Sequence, residues 1–264
     1  MIEAEKQTYE HIIFEVDGEI ARITMNRPGK RNALSLAHMQ ELTSCLKAIG
    51  EGREASVVIL AGNGPAFCAG HDLSEMIGRD PDFYRHIFDV CCELMETVQA
   101  IPQPVIAKVH GVATAAGCQL AATCDLVVAA VEARFATPGV KIGLFCSTPM
   151  VALSRAIGQK KAMEMLLTGD FISAQEALAE GLVNKVVAAE DLEEETRKLA
   201  EKITEASLLV VGVGKQAFYR QIEMPVEQAY AYTKEVMSFN ASFADAQEGM
   251  CAFLEKRRPE WKGR

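Results

Sequence analysis

The sequence predicts an α/β fold, and three observations carry that expectation. Short apolar runs recur at residues 57–61, 105–109 and 126–130, each bounded by turn-forming residues. Stretches with apolar residues at helical spacing lie between them, as βα units require. Two of the runs lead directly into turns of small residues that open a helix, around residue 70 and around residue 115.

The chain is 264 residues long and 49% hydrophobic, enough for a sizeable core. A formal charge of −9 argues against a generic nucleic-acid or anionic-membrane surface. No apolar run is long enough to span a bilayer as a helix. The compact basic run Lys256-Arg257-Arg258 either decorates a helix end or meets a phosphate. Eight cysteines include no CxxC pair, and several sit in apolar runs where a thiol packs as a small hydrophobe. The N-terminal Met1-Ile2-Glu3-Ala4-Glu5-Lys6 is acidic and lacks a leader pattern, so the expected location is cytoplasmic.

Taken in order, residues 12–16 and 20–25 alternate as two strands joined at Asp17-Gly18, a hairpin turn signal. Arg27-Pro28-Gly29-Lys30-Arg31-Asn32 is a turn-rich loop, and Ser35 caps a helix carrying Met39, Leu42, Leu46 and Ile49. The strand at 57–61 runs into Gly64-Pro65-Ala66-Phe67-Cys68-Ala69-Gly70-His71, and Asp72 with Glu75 has capping-box spacing for a further helix. Gly62-Asn63-Gly64 is glycine-rich but matches no phosphate loop. Asp80-Pro81 starts a helix reaching about residue 100, with Phe88, Cys92, Met95 and Val98 on one face. That stripe packs a core, and part of it could line an apolar pocket. After the strand at 105–109, Gly111-Val112-Ala113-Thr114-Ala115-Ala116-Gly117 opens a helix reaching Ala122. From about residue 150 the pattern is helical: Ser173 and Glu176 form a capping box, Gly181 ends that helix, and 207–222, 226–239 and 245–257 follow. Asp245 and Glu248 are again spaced as a capping box. A boundary near 203–206 divides residues 1–204 from a helical 205–264.

Each small-residue turn lets a ligand oxygen approach main-chain N–H groups. Two such donors, one within 69–71 and one within 115–117, could grip a carbonyl that gathers negative charge as it reacts. Small-residue turns before helices are also common without any ligand, so the local pattern leaves both readings open.

Several blocks, in order along nearly the whole chain, resemble the crotonase (enoyl-CoA hydratase/isomerase) superfamily. They are Arg27-Pro28 with Asn32-Ala33-Leu34, then Phe67-Cys68-Ala69-Gly70-His71-Asp72-Leu73, the stretch 111–125, Thr168-Gly169, the segment 174–183, and the block 248–257. The resemblance implies a spiral of ββα units with a helical C-terminal region that builds homotrimers or dimers of trimers. It implies an acyl-CoA thioester ligand, with coenzyme A belonging to the substrate and no separate cofactor. By position it implies His71 and Ala116 as N–H donors. It places Lys30, Arg31, Ala33, Ala69, Gly70 and Asp72 at the coenzyme, with Phe253 and Lys256 approaching it from a C-terminal helix. Lys256 is equally well a solvated helix end.

The chain departs from the family where mechanism is decided. The two hydratase glutamates fall on Gln119 and Gly139. An amide does not shuttle protons near neutral pH, and glycine has no side chain. Losing positioned acid–base groups costs roughly 10²–10⁴-fold, so two-glutamate hydration is not expected. Restoring both, by Gln119→Glu with Gly139→Glu, is expected to raise hydration of crotonyl-CoA. His71 could substitute as a base or be structural, Asp72 reads as a helix cap, and nothing in the spacing of Lys141, Cys146 and Ser147 singles out a catalyst. Three readings follow: a family enzyme with altered acid–base residues, an acyl-CoA binder without efficient turnover, or a trimeric interaction scaffold.

Overall fold

A computed structural model describes residues 8–52 and 55–263. The reading of Met1 to Lys6 lies outside these residues. The chain opens with β1 (Ile12–Asp17) and β2 (Ile20–Met25), an antiparallel hairpin turned by Gly18 at φ +60°. Then come α1 (Leu36–Glu51), β3 (Val57–Gly62), α2 (Leu73–Met76), α3 (Pro81–Ala100), β4 (Val105–Val109), β5 (Val112–Thr114) and α4 (Ala116–Thr123). β6 (Leu126–Ala130), β7 (Arg134–Ala136), α5 (Pro149–Ala156), α6 (Gln159–Thr168), β8 (Ile172–Ser173), α7 (Ala174–Glu180) and β9 (Lys185–Val187) follow. Four helices end the chain: α8 (Leu192–Thr204), α9 (Leu208–Gln221), α10 (Val226–Ala241) and α11 (Ala244–Glu255).

Six strands form one sheet in the order β1-β2-β3-β4-β6-β9, parallel from β2 onward, and β5, β7 and β8 form a second. A parallel sheet needs both faces covered. One face of β3, β4 and β6 packs with the main core, where Leu60, Ala107 and Ala129 join Met39, Leu42, Phe67, Leu94 and Phe135. The other face presents Val57, Ile59, Ile106 and Val128 to Leu192 and Ala200 of α8. The three apolar runs read from the sequence are therefore central strands. The second sheet, of two- and three-residue strands, was not anticipated.

Local capping signals hold where the partner is local. Ser35 accepts from His38 N, Asp80 from Phe83 N, and Ser173 with Glu176 closes a reciprocal capping box. Two expected boxes do not form. Asp72 does cap α2, accepting from Ser74 N, but the Glu75 carboxylate instead accepts from Leu36 N at the start of α1, 2.9 Å away. Phe243, not Asp245, is the N-cap of α11. Asp245 accepts from Ser207 Oγ and from the main-chain N–H groups of Lys262 and Gly263, and Glu248 takes Arg257 and Glu260 N.

The C-terminal helices are fastened to the sheet by a buried cation. Lys215 of α9 donates to Val98 O (2.8 Å) and Gln103 O (2.9 Å) and pairs with Asp125 at 2.8 Å. Tyr219 donates to the other Asp125 oxygen. All three ammonium protons thus have acceptors, the condition under which a buried charge is tolerated.

Candidate functional site

The turn at 67–72 lies between two strands of backbone. On one side Cys68 N donates to Val112 O and Thr114 N to Cys68 O, a bridge to β5. On the other, Ala69 N donates to Arg31 O, Leu34 N to Gly70 O and Asp72 N to Leu34 O. Leu34 and His71 therefore form a parallel bridge. In such a bridge residue 34 bonds to residues 70 and 72, so the N–H of His71 itself points away from the loop. Among the described residues that N–H has no acceptor.

The turn packs against the start of α4. Gly70, at φ +94°, abuts it so closely that a Cβ there would lie 2.9 Å from Ala115 Cβ and 3.4 Å from Ala116 N. Ala116 is the first residue of α4, where N–H groups have no intrahelical partner, and its own is unspent among the described residues. Ala115 holds it in place from φ 50°, ψ −119°, while its N–H donates to Ala136 O and its carbonyl accepts from Gln119 N. This conformation costs a non-glycine residue about 1–3 kcal/mol and persists only where surrounding bonds impose it. Gly117 is obligatory: a Cβ would lie 2.2 Å from Cys68 O.

A cavity of about 440 Å³ opens beside these two amides. Ala69, His71, Ala115, Ala116 and Gly139 line it, with Leu73, Phe88, Pro138, Ile142, Leu144, Phe145 and Pro149 as apolar wall and Lys141, Cys146, Ser147 and Thr148 completing it. The His71 ring meets Phe88 edge-on at 5.5 Å, and its Nε2 is buried without a partner among the described residues. Burial pushes the imidazole pKa down to about 4, so the ring is neutral near pH 7. Asp72 is ionised: burial pushes its carboxyl up, but hydrogen bonds from Ser74 and Arg27 outweigh this and hold it below its ordinary value. Burial also raises the Cys146 thiol, which disfavours a thiolate.

Sequence-predicted residues divide into those the fold gathers and those it separates. His71, Ala116, Gly139 and Ala69 share the cavity, with Gly70 at the joint and Asp72 behind it. Lys30 and Arg31 are exposed on the loop beside the turn, and Ala33 is buried beneath it. Gln119 lies one helical turn into α4, 4% exposed, its Oε1 without a partner among the described residues, and it is not part of the cavity wall. Phe253 and Lys256 are exposed at the end of α11 and do not line this chain's cavity. At Gly139 the structure revises an expectation. A Cβ there would lie 2.0 Å from Leu144 O and 2.8 Å from Cys146 Sγ, so Gly139→Glu cannot restore a carboxylate unless the 142–146 segment moves. Phe88 was legible from its helical stripe. Lys141, Cys146 and Ser147, which follow Gly139 in the sequence, also line the cavity, whereas the apolar wall residues Ile142, Leu144, Phe145 and Pro149 and the supporting side chains Arg27 and His38 carry no sequence signal for the site.

Two backbone turns in contact above an apolar cavity, in a spiral of ββα units, define a crotonase-type protein. The chain belongs to the enoyl-CoA hydratase/isomerase family, whose model matches residues 15–264. It is 47% identical over 250 residues to the human "Enoyl-CoA hydratase domain-containing protein 3, mitochondrial", covering 94% of this chain and 82% of that protein. It is also 37% identical to a probable enoyl-CoA hydratase of Rhizobium meliloti, over 97% of this chain and 100% of the relative. Among solved structures, an enoyl-CoA hydratase of Mycobacterium smegmatis superposes with a TM-score of 0.94 at 48% identity, covering 96% of this chain and 99% of that one. The human domain-containing protein 3 gives 0.93 at 45% identity, covering 96% and 100%. Rat, frog, mouse, human and zebrafish relatives are all named as mitochondrial, which overturns the cytoplasmic expectation.

Proposed function

We propose that this protein binds an acyl-CoA thioester and holds its carbonyl oxygen between the main-chain N–H groups of His71 and Ala116, stabilising the enolate of the thioester. The observation that supports the reading is that two turns, each carrying an unspent amide, meet at Gly70 and Ala115 beside an apolar cavity. Fixed donors of this kind are each worth about 10²–10³-fold where charge develops. The names of the relatives support the coenzyme A ester, which arrives as substrate and leaves no need for a separate cofactor. Residues 1–204 form the spiral core in this reading, with Lys30 and Arg31 facing the anionic coenzyme. Residues 205–264 assemble a homotrimer or a dimer of trimers, for which the exposed Tyr230, Met237, Phe239, Phe253 and Leu254 supply apolar surface. Hydration by two glutamates is not the reaction, because Gln119 carries an amide and the side-chain space of Gly139 is filled.

That filled space also favours a second reading, binding without efficient turnover. One experiment tests both. Acyl-CoA esters of increasing length should raise the melting temperature, since a ligand that binds only the folded state stabilises it. Ala116→Pro, which removes the N–H at a first helical position where proline is tolerated, should abolish most of that rise. Turnover of any ester that disappears in Ala116→Pro selects the enzyme over the binder. A panel in which no ester shifts the melting temperature sinks the proposal.

A further inference from the structure

The loop at 28–33 and the turn carrying His71 share one side chain. Arg27 is mostly buried, its side chain 17% exposed. Its Nη1 donates to Ala33 O at 2.5 Å and its Nη2 to Asp72 Oδ2 at 3.0 Å. The other Asp72 oxygen accepts from Ser74 N (3.2 Å) and Ser74 Oγ (2.6 Å), so that carboxylate is fixed from both sides. Ala33 precedes Leu34, whose N–H and C=O bond to Gly70 and Asp72, and Asp72 follows His71. One guanidinium thus spans the two backbone segments whose bridge sets the direction of the His71 N–H.

Building on the reading of His71 N–H as a carbonyl donor, we propose that Arg27 is a positioning residue for it, coupling the 28–33 loop to the strength of the grip on the thioester oxygen. The chemistry fits arginine in particular. Its charge is permanent, and its planar fork reaches a carbonyl and a carboxylate at once, which a single ammonium satisfies less well. The loop is itself tightly built. Arg31 and Asn32 adopt φ of 49° and 54°, and the buried Asn32 amide accepts from Arg27 N and donates to Asn63 O and Ala66 O. His38 Nδ1 lies 3.2 Å from the same Ala33 oxygen, a second support for the acceptor that Arg27 uses. A displacement of the loop, such as contact with a ligand at exposed Lys30 and Arg31 would impose, is carried through Arg27 and Leu34 into the peptide before His71.

The test reads the polarisation of the bound carbonyl, which a merely structural ion pair would not move. Butyryl-CoA labelled with carbon-13 at the carbonyl, at saturating concentration, should show a C=O stretch lowered in the wild type relative to free ligand. In Arg27→Gln more than half of that lowering should be lost while circular dichroism keeps the helical signature. Arg27→Lys should fall between the two, and Asp72→Asn should reproduce the loss in part. A full wild-type shift in saturated Arg27→Gln overturns the role, even if the variant melts earlier. Should Arg27→Gln not fold, Arg27→Lys decides: a full shift overturns the role and a partial one supports it. A wild-type band at the free-ligand frequency is a different failure, since it overturns the carbonyl-donor reading and this role with it.

Discussion

The turn at 67–72 and the wall at 137–146 face each other across the cavity and are built on opposite principles. Main-chain bonds of the turn are long-range, running to Arg31, Leu34, Val112 and Thr114. Those of the wall are local: Leu144 N to Gly139 O, Gly143 N to Val140 O and Ser147 N to Phe145 O. The wall also leaves Ile142 61% exposed, with Leu144 and Phe145 partly so, and the buried Thr137 Oγ1 has no partner among the described residues. The turn is pinned by backbone bonds to distant strands, while the wall's backbone bonds are local and its ties to the rest of the chain run through side chains, such as the Lys141–Asp170 pair and the buried Cys146. On the proposed function, the thioester oxygen would meet the rigid side and the acyl chain the more locally built one.

Glycine substitutions on the two sides test that contrast most strongly. Gly117→Ala places a methyl 2.2 Å from Cys68 O, a carbonyl pinned by Thr114 N, and should cost about 3–5 kcal/mol or prevent folding. Gly139→Ala meets Leu144 O at a nominally closer 2.0 Å, yet that segment can shift, and the cost should be about 1–2 kcal/mol. Urea denaturation midpoints measure both, and equal costs would break the comparison.

Acid should find the turn side next. His71 and the buried His38 beneath it both have their pKa lowered by burial from 6.5 to about 4. Between those values the unfolded chain binds protons that the folded chain does not, so stability rises with pH there. The contribution is full above about pH 6.5 and is lost as pH falls toward 4, at most about 3 kcal/mol for each ring. His71→Gln should shallow the slope of stability against pH by about one proton; an unchanged slope would mean that the ring is not buried in solution. The smallest effect belongs to Ala115, held at φ 50°. Ala115→Gly should relieve strain and raise stability by about 0.5–1 kcal/mol, net of the added freedom of the unfolded chain. A loss instead would show that the methyl contributes more by packing on Gly70 than the backbone costs.

What could be read from the sequence follows the range of the interactions involved. Ser35, Asp80 and the Ser173–Glu176 box are legible because the cap and the N–H it accepts from lie within four residues. The Asp72–Glu75 and Asp245–Glu248 spacings look the same but mislead, because Glu75 is recruited by Leu36 N and Asp245 by Ser207 and residues 262–263. Local spacing cannot show that a carboxylate has a better partner elsewhere. At the site, the paired turns are legible because close approach demands small residues, as Gly70 and Gly117 show. The lowered pKa of His71, the filled space at Gly139 and the bridging guanidinium of Arg27 depend on what the fold brings beside them, and no pattern within a few residues encodes that.

Because residue 34 fixes the peptide planes on either side of residue 71 through backbone atoms alone, the donor at 71 owes nothing to the identity of its own side chain. That side chain is therefore free to vary as part of the cavity wall. A protein designer, or natural selection, could exchange imidazole for a carboxylate, a hydroxyl or a methyl and change the lining of the cavity while the backbone bridge at residue 71 stays as it is.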